Sequence, residues 1–386
     1  MKKLIAILDP VERQPVFAFS PTPRSLLLAF ALAGLAATSA NAFTITPIWD
    51  ASVTNSGIGP TIQAAFTQAA QFFQSTYTDP INVNIVVDWG SVGPFTGFPV
   101  SGGASYANYN TGYAYNTVYT ALTNDAKSAA DLTSINTGTV ALNNPTPLAT
   151  FMLPTAQAKA LNMAYSYASS IWAPYTGFNG ATNNVDGWVT FGSNTNNWFF
   201  NPANLASNKD DFIGTAEHEI SEVLGRVCNL GNTNFYQNSM VYDLFRYSGS
   251  GARNFTTNYT GNSVYFSIDN GTNNLSFFNG NGGTNGDLAD WAVHNPADAY
   301  DWTGPAGVTN VISQADITAL DVIGYDINVP EPSPTNLLAT ALFTIATFRL
   351  RRRAGSAARR RRSTGDLTPP VSKPMPGKSH TRPRLH

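Results

Sequence analysis

Residues 212–228 read Phe212-Ile-Gly-Thr-Ala-Glu-His218-Glu219-Ile-Ser-Glu222-Val-Leu-Gly225-Arg-Val-Cys228, and the fold turns on how they are read. Ile213, Ala216, Ile220 and Leu224 recur at intervals of three and four, which predicts a helix with one apolar stripe. His218 and Glu222, four apart, share a different face one turn from each other. Side chains at that spacing can chelate one zinc ion together. Glu219, beside the first ligand, is then placed to act as general base on water bound to the metal. Zinc lowers the pKa of such a water, so a carboxylate can take its proton near neutral pH.

Working outward from this helix, Ile45-Thr-Pro-Ile-Trp-Asp50 alternates as a strand. Gly59-Pro60 then opens an amphipathic helix over residues 61–77, with Ile62, Ala65, Phe66, Ala69, Phe72 and Phe73 on its apolar face. Asp79-Pro80 ends it, and Ile81-Asn-Val-Asn-Ile-Val-Val-Asp88 alternates as a second strand, which makes a βαβ opening. Another helix is predicted over residues 115–130 and a strand over 186–192. Beyond Gly231 the pattern turns to short β segments at 240–247 and 263–269. The latter leads through Asn270-Gly271 into a hairpin with 273–278. Ser313-Gln-Ala-Asp316 starts a last helix in the manner of a capping box, and Gly324 stops it. The fold class expected is α+β: a βαβ opening, a site-bearing helix, a β-rich C-terminal part and a closing helix.

The central helix resembles the H-E-x-x-H-x-x-G-x-x-H/D segment of the metzincin metallopeptidases, with His218, Glu219 and Gly225 at matching positions. Glu222 stands where that pattern has its second histidine, and Cys228 where it has its third ligand. Both side chains can bind zinc. Ser239-Met240-Val241-Tyr242 is similar to the Met-turn of that clan, and the segment from Ser313 to Tyr325 to its closing helix. Together with the βαβ opening, the resemblance spans nearly all of residues 45–325. It implies a metzincin-like (zincin) domain over residues 43–328 that hydrolyses polypeptides. Glu219 would be catalytic, Tyr242 would back the metal or donate to an oxyanion, and His218, Glu222 and Cys228 would hold zinc. His294 in Asp290-Trp-Ala-Val-His-Asn-Pro296 is the alternative third ligand. Asp287 and Asp290 offer oxygens of the kind calcium takes, although their spacing fits no EF-hand loop. The alternative function for the same residues is a non-catalytic surface or matrix protein on a degenerate zincin fold.

Two terminal segments read as addresses. Lys2, Lys3, Arg13 and Arg24 precede an apolar run over residues 26–37 and the small-x-small site Ala40-Asn41-Ala42, the form of a secretory signal peptide over residues 1–42. Near the other end, Val329-Pro330-Glu331-Pro332-Ser333 is followed by an apolar stretch over 337–348 and Arg349-Leu-Arg-Arg-Arg353. This resembles the PEP-CTERM sorting signal of Gram-negative bacteria (residues 329–353, with a short transmembrane helix). It implies processing by an exosortase and delivery to the cell surface or exopolysaccharide matrix after signal peptidase has acted. Residues 354–386, rich in Arg, Pro and Ser, read as a disordered basic tail.

Charge and cysteine content support this division. The 386 residues carry a formal net charge of −2, yet residues 43–348 hold six basic side chains against 21 acidic ones, a net −15. Such a domain lacks the basic footprint that nucleic-acid binding requires. The single cysteine, Cys228, excludes an intramolecular disulfide framework.

Overall fold

A computed structural model describes residues 42–98, 100–167, 184–230, 237–257, 263–280 and 287–328. They lie in the compact unit that ends at Asn328. The segments read from sequence as a signal peptide (all but its last residue, Ala42), a sorting signal and a basic tail fall outside the described residues. Among the described residues no helix is long and apolar enough to cross a membrane.

The described residues begin with β1 (Thr44–Trp49), α1 (Gly59–Thr76) and β2 (Asn82–Trp89), and β1 pairs with β2 in parallel. A parallel pair needs a crossover, and α1 supplies it. Ile62, Ala65, Phe66, Ala69 and Phe73 are buried, as their spacing predicts. Pro60 sits in the first turn of α1, where its missing N–H has no helical partner to lose. The βαβ opening is therefore present.

Next come β3 (Gly103–Ala107), β4 (Tyr109–Ala114), α2 (Tyr115–Asp125), α3 (Ala129–Asn136), β5 (Thr150–Pro154) and β6 (Gly187–Phe191). β6 joins β2 in parallel and β3 runs antiparallel beside β6, so the sheet order is β1-β2-β6-β3 with β3 at the edge. The single helix expected over 115–130 is in fact two. The Ser128 hydroxyl accepts the Asp131 amide, and the Asp131 carboxylate accepts the Ser128 amide. That capping box starts a new helix instead of extending the old one.

α4 (Phe212–Leu224) packs against β3, β6 and α1. Its predicted stripe is buried, and Ile220 and Leu224 each contribute about 2 kcal/mol by leaving water. The Asp211 carboxylate caps its start by accepting the Ile213 amide at 3.1 Å. The helix ends at Gly225 with φ of 125°, a conformation strained for any residue with a Cβ. Beyond it, residues 240–247 do not form one strand. The Asp243 carboxylate accepts the Met240 amide at 2.8 Å and bends the chain through a 3-10 turn, Tyr242–Phe245, so that only β7 (Arg246–Gly249) is extended. β7 pairs antiparallel with β8 (Tyr265–Phe266), and β8 with β9 (Ser276–Phe277), the expected hairpin. The last helix, α5 (Gln314–Asp321), starts with the expected capping box between Ser313 and Asp316 and stops short of Gly324.

The two ends of the described chain meet. Asn328 donates to the Thr76 carbonyl at 2.7 Å, and the Thr78 amide donates to the Asp326 carbonyl at 2.8 Å. The rings of Phe43, Tyr77 and Tyr325 meet edge to face beside this closure. The described residues thus form one α+β unit, with α4 between the main sheet and the irregular C-terminal part.

Candidate metal centre

α4 presents His218, Glu219 and Glu222 to a cleft of about 630 Å³ that β3 borders. His218 Nδ1 lies 2.9 Å from the Ala299 carbonyl. A carbonyl only accepts, so Nδ1 carries a proton and donates. Nε2 then faces Glu222 Oε1 at 3.4 Å and Asp290 Oδ1 at 3.2 Å. A bare nitrogen lone pair aimed at two carboxylate oxygens is repelled by both. The arrangement needs a cation, either a proton on Nε2 or a metal ion among the three atoms. Ligands about 2.0–2.1 Å from a tetrahedral zinc lie about 3.3 Å apart, which matches both distances. The imidazole N–H on a backbone carbonyl is also the usual support of a metal-binding histidine. Ser105 steadies the other oxygen of Glu222, donating to Oε2 at 2.5 Å. The donor atoms of His218, Glu222 and Asp290 all lie within 4.8 Å of one another.

A fourth group borders the same oxygens. After the turn at Gly225, the wholly buried Arg226 returns to α4, with Nε on Ser221 Oγ at 2.7 Å and Nη1 on Asp290 Oδ1 at 2.7 Å. Its Nη2 is 3.5 Å from Glu222 Oε1, and its guanidinium lies 4.4 Å from the centre of the Tyr300 ring. Burial works against the charge of Asp290, but His218 and Arg226 overcome it and hold its pKa below the usual carboxylate value. Burial likewise works against charging His218, and Asp290 outweighs it, so the imidazole is held well above its ordinary pKa.

Glu219 is buried against the edge strand. A Cβ on Gly103 would stand 2.2 Å from Glu219 Oε1, so only glycine lets β3 come this close to the carboxyl. Burial, and after it the charge of Glu222, raises the Glu219 pKa well above normal. Its carboxyl lines the same cleft as His218 and Glu222, where it is placed to exchange a proton with water.

Other residues singled out by sequence stand elsewhere. Cys228 does not join His218 and Glu222: its Sγ lies 3.6 Å from Arg246 Nη1 and 4.0 Å from the Leu288 carbonyl. Burial raises its thiol pKa well above normal. The turn at Gly225 brings Arg226, not Cys228, back to the polar face of α4. His294 is also apart, with Nδ1 on Asp301 Oδ1 at 2.5 Å and Nε2 3.2 Å from Ser276 Oγ. Tyr242 is wholly buried among Phe266, Phe278 and Trp291 and does not line the cleft. Met240 packs with Met152 and Val227. Asp287 lines the cleft, and burial followed by the charge of Asp290 pushes its pKa up to about 7.

Sequence reasoning missed Asp290 as the third member of the group, and Arg226 altogether. The only signal for Asp290 is its place in the acidic stretch Gly286-Asp-Leu-Ala-Asp-Trp291, whose oxygens are of the kind calcium could use. Comparison with protein-family models, with curated proteins and with solved structures found no match.

Proposed function

We propose that the chain is an exported zinc-dependent peptidase in which His218, Glu222 and Asp290 hold the metal and Glu219 is the general base. The observation that carries this reading is His218 Nε2, left facing two carboxylate oxygens at zinc-like spacing by the bond from Nδ1 to Ala299. Zinc bound there would acidify a water and polarise a peptide carbonyl. Glu219 takes the proton of the attacking water and passes it to the leaving amine. Ser105 keeps the Glu222 carboxylate in place, while the Arg226 guanidinium shares with the metal the oxygens of Glu222 and Asp290 that face His218. An extended polypeptide would lie beside β3, the last strand of its sheet, where Gly103, Ala104 and Ser105 line the cleft. Asp210, Asp287 and Asp301 add to the acidic lining, which favours cationic segments of substrate.

The metzincin likeness belongs to the same proposal. It is supported by the βαβ opening, a site helix that ends on a left-handed glycine, the turn after Met240 and the capped last helix. So does the route: export by a signal peptide, then exosortase sorting to the surface or exopolysaccharide matrix, resting on the terminal motifs. Metal analysis and casein hydrolysis, for the purified protein and for Glu219→Ala, test the proposal. One zinc per chain in both, with hydrolysis only in the unaltered protein, is expected. Bound zinc with no hydrolysis in either sinks the enzyme; no zinc in either sinks the centre.

One observation favours a second reading. With a proton on Nε2, His218 and Arg226 supply two positive charges to the two carboxylates, and the group is balanced with no metal. The chain would then be a non-catalytic surface or matrix protein. That reading expects no stoichiometric metal and a melting temperature indifferent to chelator.

A further inference from the structure

A separate acidic group sits where the two ends of the domain meet. Asp79 follows α1, Asp125 ends α2 and Asp326 lies on the closing segment. One carboxylate oxygen from each lies within 4.8 Å of the others. Asp79 and Asp326 are only 2% and 8% exposed, so water does little to screen them. The neighbouring cation is Lys127, whose ammonium contacts Asp326 Oδ2 while its side chain stays 66% exposed. The other oxygen of that carboxyl, Asp326 Oδ1, is buried and has no hydrogen-bond partner. Asp321, tied to Ser128 Oγ at 2.7 Å, leaves a further buried oxygen unpaired. Unpaired buried acceptors are costly, and the Lys127 ammonium meets Asp326 Oδ2, not Oδ1.

We propose that Asp79, Asp125 and Asp326 form a divalent-cation site suited to calcium, in which the ion occupies the unpartnered Asp326 oxygen and displaces Lys127 into solvent. The donors are all hard oxygens, with no imidazole or thiolate among them, which selects calcium over zinc. Backbone carbonyls and water complete the six to eight oxygens that calcium takes. Burial, then the charge of Asp326, raises Asp79 to about 7, and burial with Asp326 and Asp79 raises Asp125 to about 8. The ion would join the ends of α1 and α2 to the last residues of the domain, and the inference does not depend on the peptidase reading.

The test is calcium chloride titrated into the full-length protein after EDTA treatment and dialysis, followed by calorimetry and thermal unfolding. One site per chain is expected, with a Kd of about 10⁻⁴–10⁻³ M, the range of extracellular calcium modules. Melting temperature should rise as the site fills. Asp125→Asn should abolish the response, and His218→Ala should leave it unchanged. Lys127→Met, at a largely solvent-exposed side chain, should tighten binding about tenfold by removing the competing ammonium. The inference is overturned by any one of three results. These are no calcium response, a response that survives Asp125→Asn or disappears with His218→Ala, and an affinity unchanged in Lys127→Met. The lysine variant decides the matter even where Asp125→Asn does not fold.

Discussion

Arg226→Met separates the two states open to the centre on α4. Methionine approximates the length of the arginine stem and removes its charge, leaving Asp290 and Glu222 with His218 alone. The guanidinium is wholly buried and bonded to Asp290 at 2.7 Å. Breaking such a pair from one side costs about 3–5 kcal/mol, because the remaining carboxylate stays buried and uncompensated. At about 2–4 °C per kcal/mol for a domain of this size, the metal-free variant should melt about 10 °C below the unaltered protein. Zinc should then return more to the variant than to the parent, since it meets carboxylates with no guanidinium competing for them. A tenfold gain in affinity is about 1.4 kcal/mol, so the zinc-induced shift should be larger by about 3–5 °C. Differential scanning fluorimetry of both proteins, in EDTA and then in zinc, reads these shifts directly. An equal or smaller zinc shift in Arg226→Met refutes the argument that the guanidinium and the metal share Asp290 and Glu222.

The other expected outcomes are briefer. Glu219→Gln should lower peptide hydrolysis about 10²–10⁴-fold with zinc content unchanged, as read by a fluorogenic peptide and metal analysis. Cys228→Ala should leave zinc content and hydrolysis as they are, because the thiol lies on Arg246 and Leu288; loss of zinc would restore it as a ligand. Among peptides of one length, those rich in Lys and Arg should show the lower KM, an advantage that fades as salt rises; equal KM values would discount the acidic lining. Asp88 is buried with neither carboxyl oxygen bonded, and burial, then Asp50, pushes its pKa up to about 8. The folded state therefore binds more protons than the unfolded one between about pH 4 and 8, and stability falls as pH rises through that window. Asp88→Asn should remove this loss, so its gain in melting temperature over the parent should grow from pH 5 to pH 8; a constant difference counts against it.

What was legible in the sequence was whatever is encoded locally. The βαβ opening, the stripe of α4, the cap on Ser313 and the Asn270-Gly271 hairpin depend on spacing and turn chemistry within a few residues. The break after Asp125 was local as well, but the alanine-rich pattern around it hid the Ser128 cap. β3 and β4 go unread because Gly, Asn and Tyr blur their alternation, and β5 because residues 151–154 run apolar without alternating. His218, Glu219 and Glu222 were legible as one helix face. Asp290 was not, because it comes from a distant loop that only tertiary packing brings to His218. Arg226 lay inside the quoted motif, yet its direction depends on a single left-handed residue, and the motif drew attention to Cys228 instead. Tyr242 was misplaced because the Asp243 turn sends it into the core.

The bond from Asn328 to Thr76 and the pairing around Tyr77 make the last-synthesised residues of the domain structural partners of its first helix. A nascent chain that has reached only Gly324 still lacks the segment that finishes the end of α1. Deletion mapping of this protein should consequently be asymmetric. Cuts after Asn328 leave in place every contact of that closure among the described residues, whereas removing the few residues before it strips Phe43 and Tyr77 of Tyr325 and opens the core from its N-terminal side.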